Sequence, residues 1–349
     1  VTVVTIKHKS RKGMNMKAYE IHTFGIDRLK MADRAMPEPG VNQVLIKMQA
    51  WSLNYRDLMT ITGRYNPRLK LPQVPLSDGA GEVVAVGSEV RCCKVGDRVA
   101  STFFEHWISG EASDDKAKSA LGAGRDGVLA EYVALHEDGV IPIPEHLTFV
   151  EAATLPCAGL TAWNALVAEG KIKAGQTILT LGTGGVSIFA LQFALLHGAQ
   201  VIITSGSDEK LAKARRLGAR WTVNYKQQPD WGRHVRQLTG GRGVDLVVEL
   251  GGAGTFNQSV AALKRGGHLS LIGVLAPGSD PNIRSVLMNS IRVQGIFVGT
   301  RDTFADMNAA ISLHGLHPVI DRIFGFEEVR DAFRLMESGG HFGKICISR

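Results

Sequence analysis

Apolar and polar residues alternate with a period of two through the first third of the chain. Val44, Ile46, Met48 and Ala50 fall on one face of a strand, and Lys47 and Gln49 fall on the other. Ala80 to Val86 predicts another strand, Gly96-Asp-Arg-Val99 a turn into a third, and Val128 to Leu135 a fourth. Short strands punctuated by Gly and Pro from Met16 to Glu151 imply a β-rich, barrel-like unit.

From Ala152 to Val298 the pattern changes to strand followed by helix. Apolar runs at Thr177–Leu181, Val201–Thr204, Thr222–Asn224, Val244–Glu249, His268–Gly273 and Arg292–Val298 predict six strands. Helices are predicted over Val186–His197, Asp208–Leu217, Trp231–Leu238 and Thr255–Leu263, with Ser207 capping the second and Gly218 just past its end. Six strands with helical crossovers imply a doubly wound parallel sheet, so the expected class is α/β. Beyond Thr303, helices around Phe304–Leu313 and Phe326–Glu337 precede an apolar strand at Gly343–Ile347, which can return to the first unit. The expected division is 16–151 with 319–349 as one domain and 152–318 as the other.

Composition narrows the class. A chain of 349 residues implies about two domains, and 44% hydrophobic with 21% charged residues is a globular balance. No window approaches the ~20 unbroken apolar residues of a membrane span, and no secretory signal is expected. The cysteines, Cys92, Cys93, Cys157 and Cys346, form no C-x-x-C pair, which points to a reducing, cytoplasmic setting. The formal charge is +7, of which Lys7, Lys9, Arg11 and Lys12 supply four, so residues 1–15 read as a basic extension. With no basic stripe elsewhere, nucleic acid is not the expected partner.

The sharpest chemical motif is Gly182-Thr183-Gly184-Gly185-Val186-Ser187, between a predicted strand and a predicted helix. In that context Gly182 makes a tight turn and Gly184 admits a pyrophosphate. The helix N-terminus then offers free N–H groups to the phosphates. Ser187 replaces the third glycine. An NAD site needs a carboxylate at the tip of the second strand, but Ser205-Gly-Ser207 stands there. Ser205, Ser207 and Lys210 are candidate donors to a 2′-phosphate, with Tyr225 flanking the adenine, so NADP(H) is the expected cofactor.

These residues, with Asn54-Tyr-Arg-Asp-Leu58, Ser77-Asp-Gly-Ala-Gly-Glu82, Val95-Gly-Asp-Arg-Val99, Leu155–Trp163 and His341-Phe-Gly-Lys344, resemble the medium-chain dehydrogenase/reductase superfamily from about Met16 onward. The likeness is to its zinc-independent, quinone oxidoreductase-like branch. It implies a GroES-like first domain, a Rossmann second domain and a homodimer, and the apolar last strand predicts pairing at a sheet edge. It also implies that Asn54, Tyr55 and Thr161 lie by the cofactor and that Tyr65 guards the cleft. Leu250-Gly251-Gly252, Ile272-Gly273-Val274 and Phe297-Val298-Gly299 would line the ribose and nicotinamide, and Lys344 would reach the cofactor from the terminal strand. Zinc-dependent relatives carry ligands near Tyr55 and Leu76–Asp78 and at Cys157. Only Cys157 remains here, so no zinc is expected. The stretch 101–127 holds an insertion containing Phe104, Glu105, His106 and Trp107. It is either a cleft wall with Phe104 and Trp107 touching substrate, or a surface loop with its own small core.

A zinc-free site suits an acceptor that is already electrophilic, because an alcohol needs help to lose its proton. The expected substrate is a quinone or an α,β-unsaturated carbonyl. Tyr55, Arg56 and Tyr65 are the candidate donors to the developing oxyanion, although Arg56 equally suits a salt bridge. The alternatives are a zinc-free alcohol or aldehyde dehydrogenase, or a non-catalytic NADPH-binding sensor or structural protein.

Overall fold

The computed structural model describes residues 13–273, 278 and 280–349. The basic extension lies almost wholly outside them, and Val274 lies outside them too. Two large sheets organise the described chain, beside a two-stranded antiparallel sheet of Asn15–Ile21 and Leu29–Ala35.

The first is built around the long strand Gln43–Ser52. Along one edge its first half pairs with Tyr132–His136 and its second half with the terminal strand Lys344–Ser348, while the other edge pairs with Asp78–Val86. Arg98–Ser101, Val140–Pro142 and Ile320–Gly325 extend the sheet. Val44, Ile46, Met48 and Ala50 are buried as the alternation requires, while Lys47 and Gln49 are half-buried. Trp51 is buried in the same core, and its Nε1 donates to the Val128 carbonyl at 2.5 Å. The strand expected over Val128–Leu135 is regular only from Tyr132.

The second sheet has six parallel strands: β1 Thr177–Leu181, β2 Gln200–Ser205, β3 Trp221–Asn224, β4 Val244–Glu249, β5 Leu263–Leu271 and β6 Arg292–Gly295. Their order is β3-β2-β1-β4-β5-β6, so the direction of winding reverses between β1 and β4. This is the expected α/β doubly wound sheet. Every residue of β1 and β4 is buried between helix layers, which is why both are mostly apolar, with Thr177, Thr180, Asp245 and Glu249 as the polar exceptions. β5 starts earlier than its apolar run because Lys264, Arg265 and Gly266 join it without burying side chains. β6 stops at Gly295, short of the expected Val298, where a left-handed φ of 55° turns the chain.

The helices follow the expected series with shifted ends, among them Gly185–Leu196, Asp208–Arg216, Arg301–His314 and Val329–Ser338. Ser207 caps the second by accepting from the Lys210 N–H. Between the sheets, a helix at Leu160–Trp163 is flanked by π-helical turns at Leu155–Gly159 and Asn164–Ala168. Such widened turns often occur where a helix serves a site. No helix among the described residues is long and apolar enough to cross a membrane.

Candidate functional site

The carboxyl ends of the parallel strands, the start of helix Gly185–Leu196 and the beginning of the terminal strand converge. Gly182 takes φ 75°, which only glycine adopts without strain, and its N–H donates to Thr204 Oγ1 at 3.3 Å. The Ser187 hydroxyl donates to the Leu181 carbonyl at 2.6 Å, so the serine in place of a third glycine ties the turn shut. Thr183 accepts from the Gly343 N–H at 2.9 Å, and Gly184 and Gly343 form a parallel bridge. A Cβ on Gly185 would lie 2.6 Å from Lys344 Cδ, so this glycine admits the lysine stem. Val186 is half-buried in the first turn of the helix.

The tip of β2 carries Ser205, whose Oγ accepts from the Ser207 N–H at 3.3 Å. Lys210 does not stand free here. It is half-buried, and its ammonium donates to the Gly339 carbonyl at 2.6 Å. Tyr225 is 44% exposed. Its hydroxyl and the stem of Lys226 crowd Gly206, where a Cβ would lie 2.8 and 2.9 Å from them. Lys226 escaped the sequence reading because a lone lysine in a polar turn has no pattern. Asp208, the nearest acid, is occupied by Asn224 and Gln227.

At the tip of β4, buried Glu249 accepts from the N–H groups of Gly251 and Gly252 at 2.8 and 3.0 Å, from Thr255 Oγ1 at 2.5 Å and from Ser259. Nothing in the sequence marked Glu249, which ends an apolar strand as an isolated acid. Its backbone carbonyl accepts from Ile272 and Gly273, and a Cβ on Gly273 would overlap the Leu250 carbonyl. The loops after β4 and β5 are therefore held together. After β6, Phe297 is 45% exposed, the carbonyl of Val298 accepts from Asn164 Nδ2 at 2.8 Å, and Gly299 packs on Leu160. A left-handed valine is strained, and such strain tends to be kept at functional sites.

Facing these tips are the residues of the first sheet. Lys344 is buried, and its ammonium donates to the Leu53 carbonyl and to Asn54 Oδ1, both at 2.6 Å. Asn54 Nδ2 is buried with no hydrogen bond of normal geometry, and Asp78 is the acceptor beside it. Asp57 accepts from the Asn54 N–H at 2.9 Å, and burial pushes its carboxyl up to about 6 despite Arg56. Asp78 accepts from Ser77 Oγ at 2.6 Å and the Cys157 N–H at 3.1 Å, and burial raises its pKa. Burial also raises the Cys157 thiol, with Asp78 adding to the effect. Thr161 is buried nearby in the linking helix.

Of the candidate donors, Tyr55 and Tyr65 are 36% and 39% exposed. Arg56 takes the salt-bridge alternative. Its guanidinium bonds the Leu121 carbonyl, lies 3.2 Å from Asp57, and stacks 4.6 Å above the Phe103 ring. Phe104 and Trp107 take the packing alternative. They are 2% and 9% exposed, in an aromatic cluster whose accessible ring is Phe297, 4.9 Å from Phe104. The insertion does have its own small core: Glu105 is buried and held by the His136 N–H and Arg125 at 2.7 and 2.6 Å.

The donor set does not fit a catalytic zinc: Cys157 is the one thiol or imidazole ligand here, Asp78 is satisfied by its neighbours, and the side-chain oxygen of Asn54 belongs to a buried ammonium. Among the described residues no group of three or more His, Cys, Asp or Glu side chains is arranged to hold a metal. A dinucleotide does fit: the glycine turn and the start of helix Gly185–Leu196 form an anion cradle at the strand ends.

The family models described as "Alcohol dehydrogenase GroES-like domain" and "Zinc-binding dehydrogenase" match residues 40–145 and 185–313. A zinc-type alcohol dehydrogenase-like protein of Schizosaccharomyces pombe is 44% identical over 94% of this chain and 98% of its own length. This chain belongs to the medium-chain dehydrogenase/reductase superfamily. A pig quinone oxidoreductase is 29% identical over 95% of the chain and 98% of its own length. The solved structure of an NAD-dependent alcohol dehydrogenase has a TM-score of 0.88 at 33% identity, covering 96% of this chain and all of its own. The first sheet is therefore the GroES-like unit, and the chain is an oxidoreductase of the alcohol dehydrogenase and quinone oxidoreductase family. The family implies a nicotinamide cofactor.

Replacing Glu249 by Ala leaves two N–H groups and two hydroxyls without their acceptor. A loss of about 2–4 kcal/mol in unfolding free energy is expected from urea denaturation. A change within about 0.5 kcal/mol would show that the loop after β4 holds itself.

Proposed function

We propose that this medium-chain dehydrogenase/reductase is an NADPH-dependent, zinc-free reductase of quinones or α,β-unsaturated carbonyls, working in the cytoplasm. The observation that carries the reading is the cleft floor, where Lys344 engages Asn54 and Asp78 is satisfied internally, leaving no ligand set for a metal. Bound there, the dinucleotide would supply the hydride. The chain's own residues bind and orient. Gly182–Ser187 and the helix start take the pyrophosphate. Ser205, Ser207, Lys210, Tyr225 and Lys226 form the wall around a 2′-phosphate. Leu250–Gly252, Ile272–Gly273 and Phe297–Gly299 line the nicotinamide half together with Thr161. Asn54 Nδ2 is a buried donor with Asp78 beside it. Tyr55 and Tyr65 are the accessible hydroxyls for the developing oxyanion.

Alcohol oxidation is the second reading, favoured by the names of the relatives. The cleft floor weighs against it, because an alcohol must lose a proton and no metal site helps it do so. NADPH oxidation measured with a panel of quinones and enones, and NADP⁺ or NAD⁺ reduction with alcohols, separates the two. Turnover on alcohols alone would sink the first.

Lys210→Ala is expected to weaken NADPH about ten- to hundredfold and to leave NADH nearly unchanged, since a hydrogen bond to a charged group contributes about 1.5–3 kcal/mol. To act so, Lys210 must exchange the Gly339 carbonyl for the phosphate. Equal losses for both cofactors, measured by fluorescence titration, would remove it from the site.

For the metal, purified protein is expected to contain far less than one zinc per chain. Chelator is expected to leave NADPH-dependent turnover unchanged, and Cys157→Ser to keep most activity. Stoichiometric zinc, with activity lost to chelator and restored by zinc, would overturn the mechanism.

A homodimer belongs to the same reading. β6 is an exposed sheet edge, and Ile283, Leu287 and Met288 on the helix before it are 69%, 74% and 59% exposed. Pairing of β6 with its twofold mate would cover them. Light scattering at micromolar concentration is expected to give twice the chain mass, and a monomer there would exclude this assembly.

A further inference from the structure

The segment between Gly339 and Lys344 crosses the glycine turn as a short wall. Gly343 is bonded to Thr183, and Gly339 holds the ammonium of Lys210. Between these two anchors stands His341. Its Nε2 lies 3.9 Å from where a Cβ on Gly184 would be, so the imidazole faces the turn that receives a pyrophosphate. Its Nδ1 is buried and has no hydrogen-bond partner among the described residues. Buried ring nitrogens ordinarily find a partner; with Nδ1 left unpaired and Nε2 turned to the anion cradle, no protein acceptor fixes the ring, and it is free to orient to a ligand.

We propose that His341 is a phosphate contact of the bound dinucleotide and takes up a proton as the dinucleotide binds. The inference rests on the dinucleotide reading above and adds to it a residue and a pH dependence. The charged groups facing His341 are Lys210, Lys344 and Asp321. Burial, then Lys210 and Lys344, hold the imidazole down to about 4, and Asp321 opposes them weakly. In the free protein at neutral pH it is therefore uncharged. A pyrophosphate brings two negative charges to the same place, and an anion beside an imidazole favours its charged form. The bound-state pKa then exceeds the free-state value. Affinity strengthens as pH falls through the bound-state pKa and levels off near the free-state value of about 4.

NADH is the probe, because the 2′-phosphate of NADPH has its own proton near pH 6. Calorimetric titration of the whole chain in buffers of differing ionisation enthalpy reads protons taken up per NADH. Uptake of about half a proton near pH 6, vanishing by about pH 8.5, is expected, with binding roughly twofold tighter at the lower pH. In His341→Asn and His341→Gln the uptake and the pH dependence should disappear, while binding at the higher pH persists. Proton NMR of the wild-type chain should show one imidazole whose titration midpoint rises on adding NADH, which tests the idea even if a variant fails to fold. Uptake undiminished in the variants, or NADH binding to the wild-type chain with no uptake at all, would overturn the role of His341 and leave the dinucleotide site standing. Failure of both NADH and NADPH to bind at any pH would instead remove the dinucleotide reading and this inference with it.

Discussion

A buried ammonium needs acceptors, and Lys344 finds two of them, the carbonyl of Leu53 and the side-chain oxygen of Asn54. Its stem reaches them only by passing the missing side chain of Gly185, at the first turn of the helix that would receive the phosphates. One side chain thus fixes three things together: the end of the long strand in the first sheet, the cap of the helix Tyr55–Ile61, and the start of the terminal strand. Asn54 spends its oxygen on the lysine, which turns its amide nitrogen towards Asp78. The floor of the cleft follows from that single contact.

The same cation is central to the proposed zinc-free reading. Carboxylates already bonded or paired within the floor, and one thiol beside an ammonium, make a poor ligand set for a divalent ion. Asp78 is bonded by Ser77 and by the Cys157 N–H, and burial raises the pKa of the Cys157 thiol. Charge in this floor is balanced among protein groups, Lys344 against Asp78 and Arg56 against Asp57. Relatives with zinc in their names share the fold around this floor. A fold carries over between them, whereas a metal site depends on a few side chains and does not.

On the opposite wall, rigidity comes from close backbone approach. Glu249 gathers the loop after β4, and Gly273 lets the loop after β5 lie against Leu250. Val298 accepts a left-handed conformation with its carbonyl held by Asn164, which leaves Phe297 accessible above the aromatic cluster. Loops fixed this way present ligand-facing atoms with little left to order on binding.

The sequence by itself determined the architecture. Period-two burial in Gln43–Ser52, largely apolar runs at β1 and β4, and the strand–glycine–helix context of Gly182–Ser187 are local patterns, and local patterns follow from backbone geometry. Ser187 was legible as a small residue, but its bond to Leu181 was not. What only the tertiary structure decided was the partner of each polar side chain. Lys210 on Gly339, Arg56 between Leu121 and Asp57, Phe104 and Trp107 inside a cluster, and Glu249 under a loop all depend on segments distant in the chain or on the turn of a loop. A hydrogen bond or a ring contact is satisfied by whatever the fold brings within about 3–5 Å, and no spacing along the sequence specifies that neighbour.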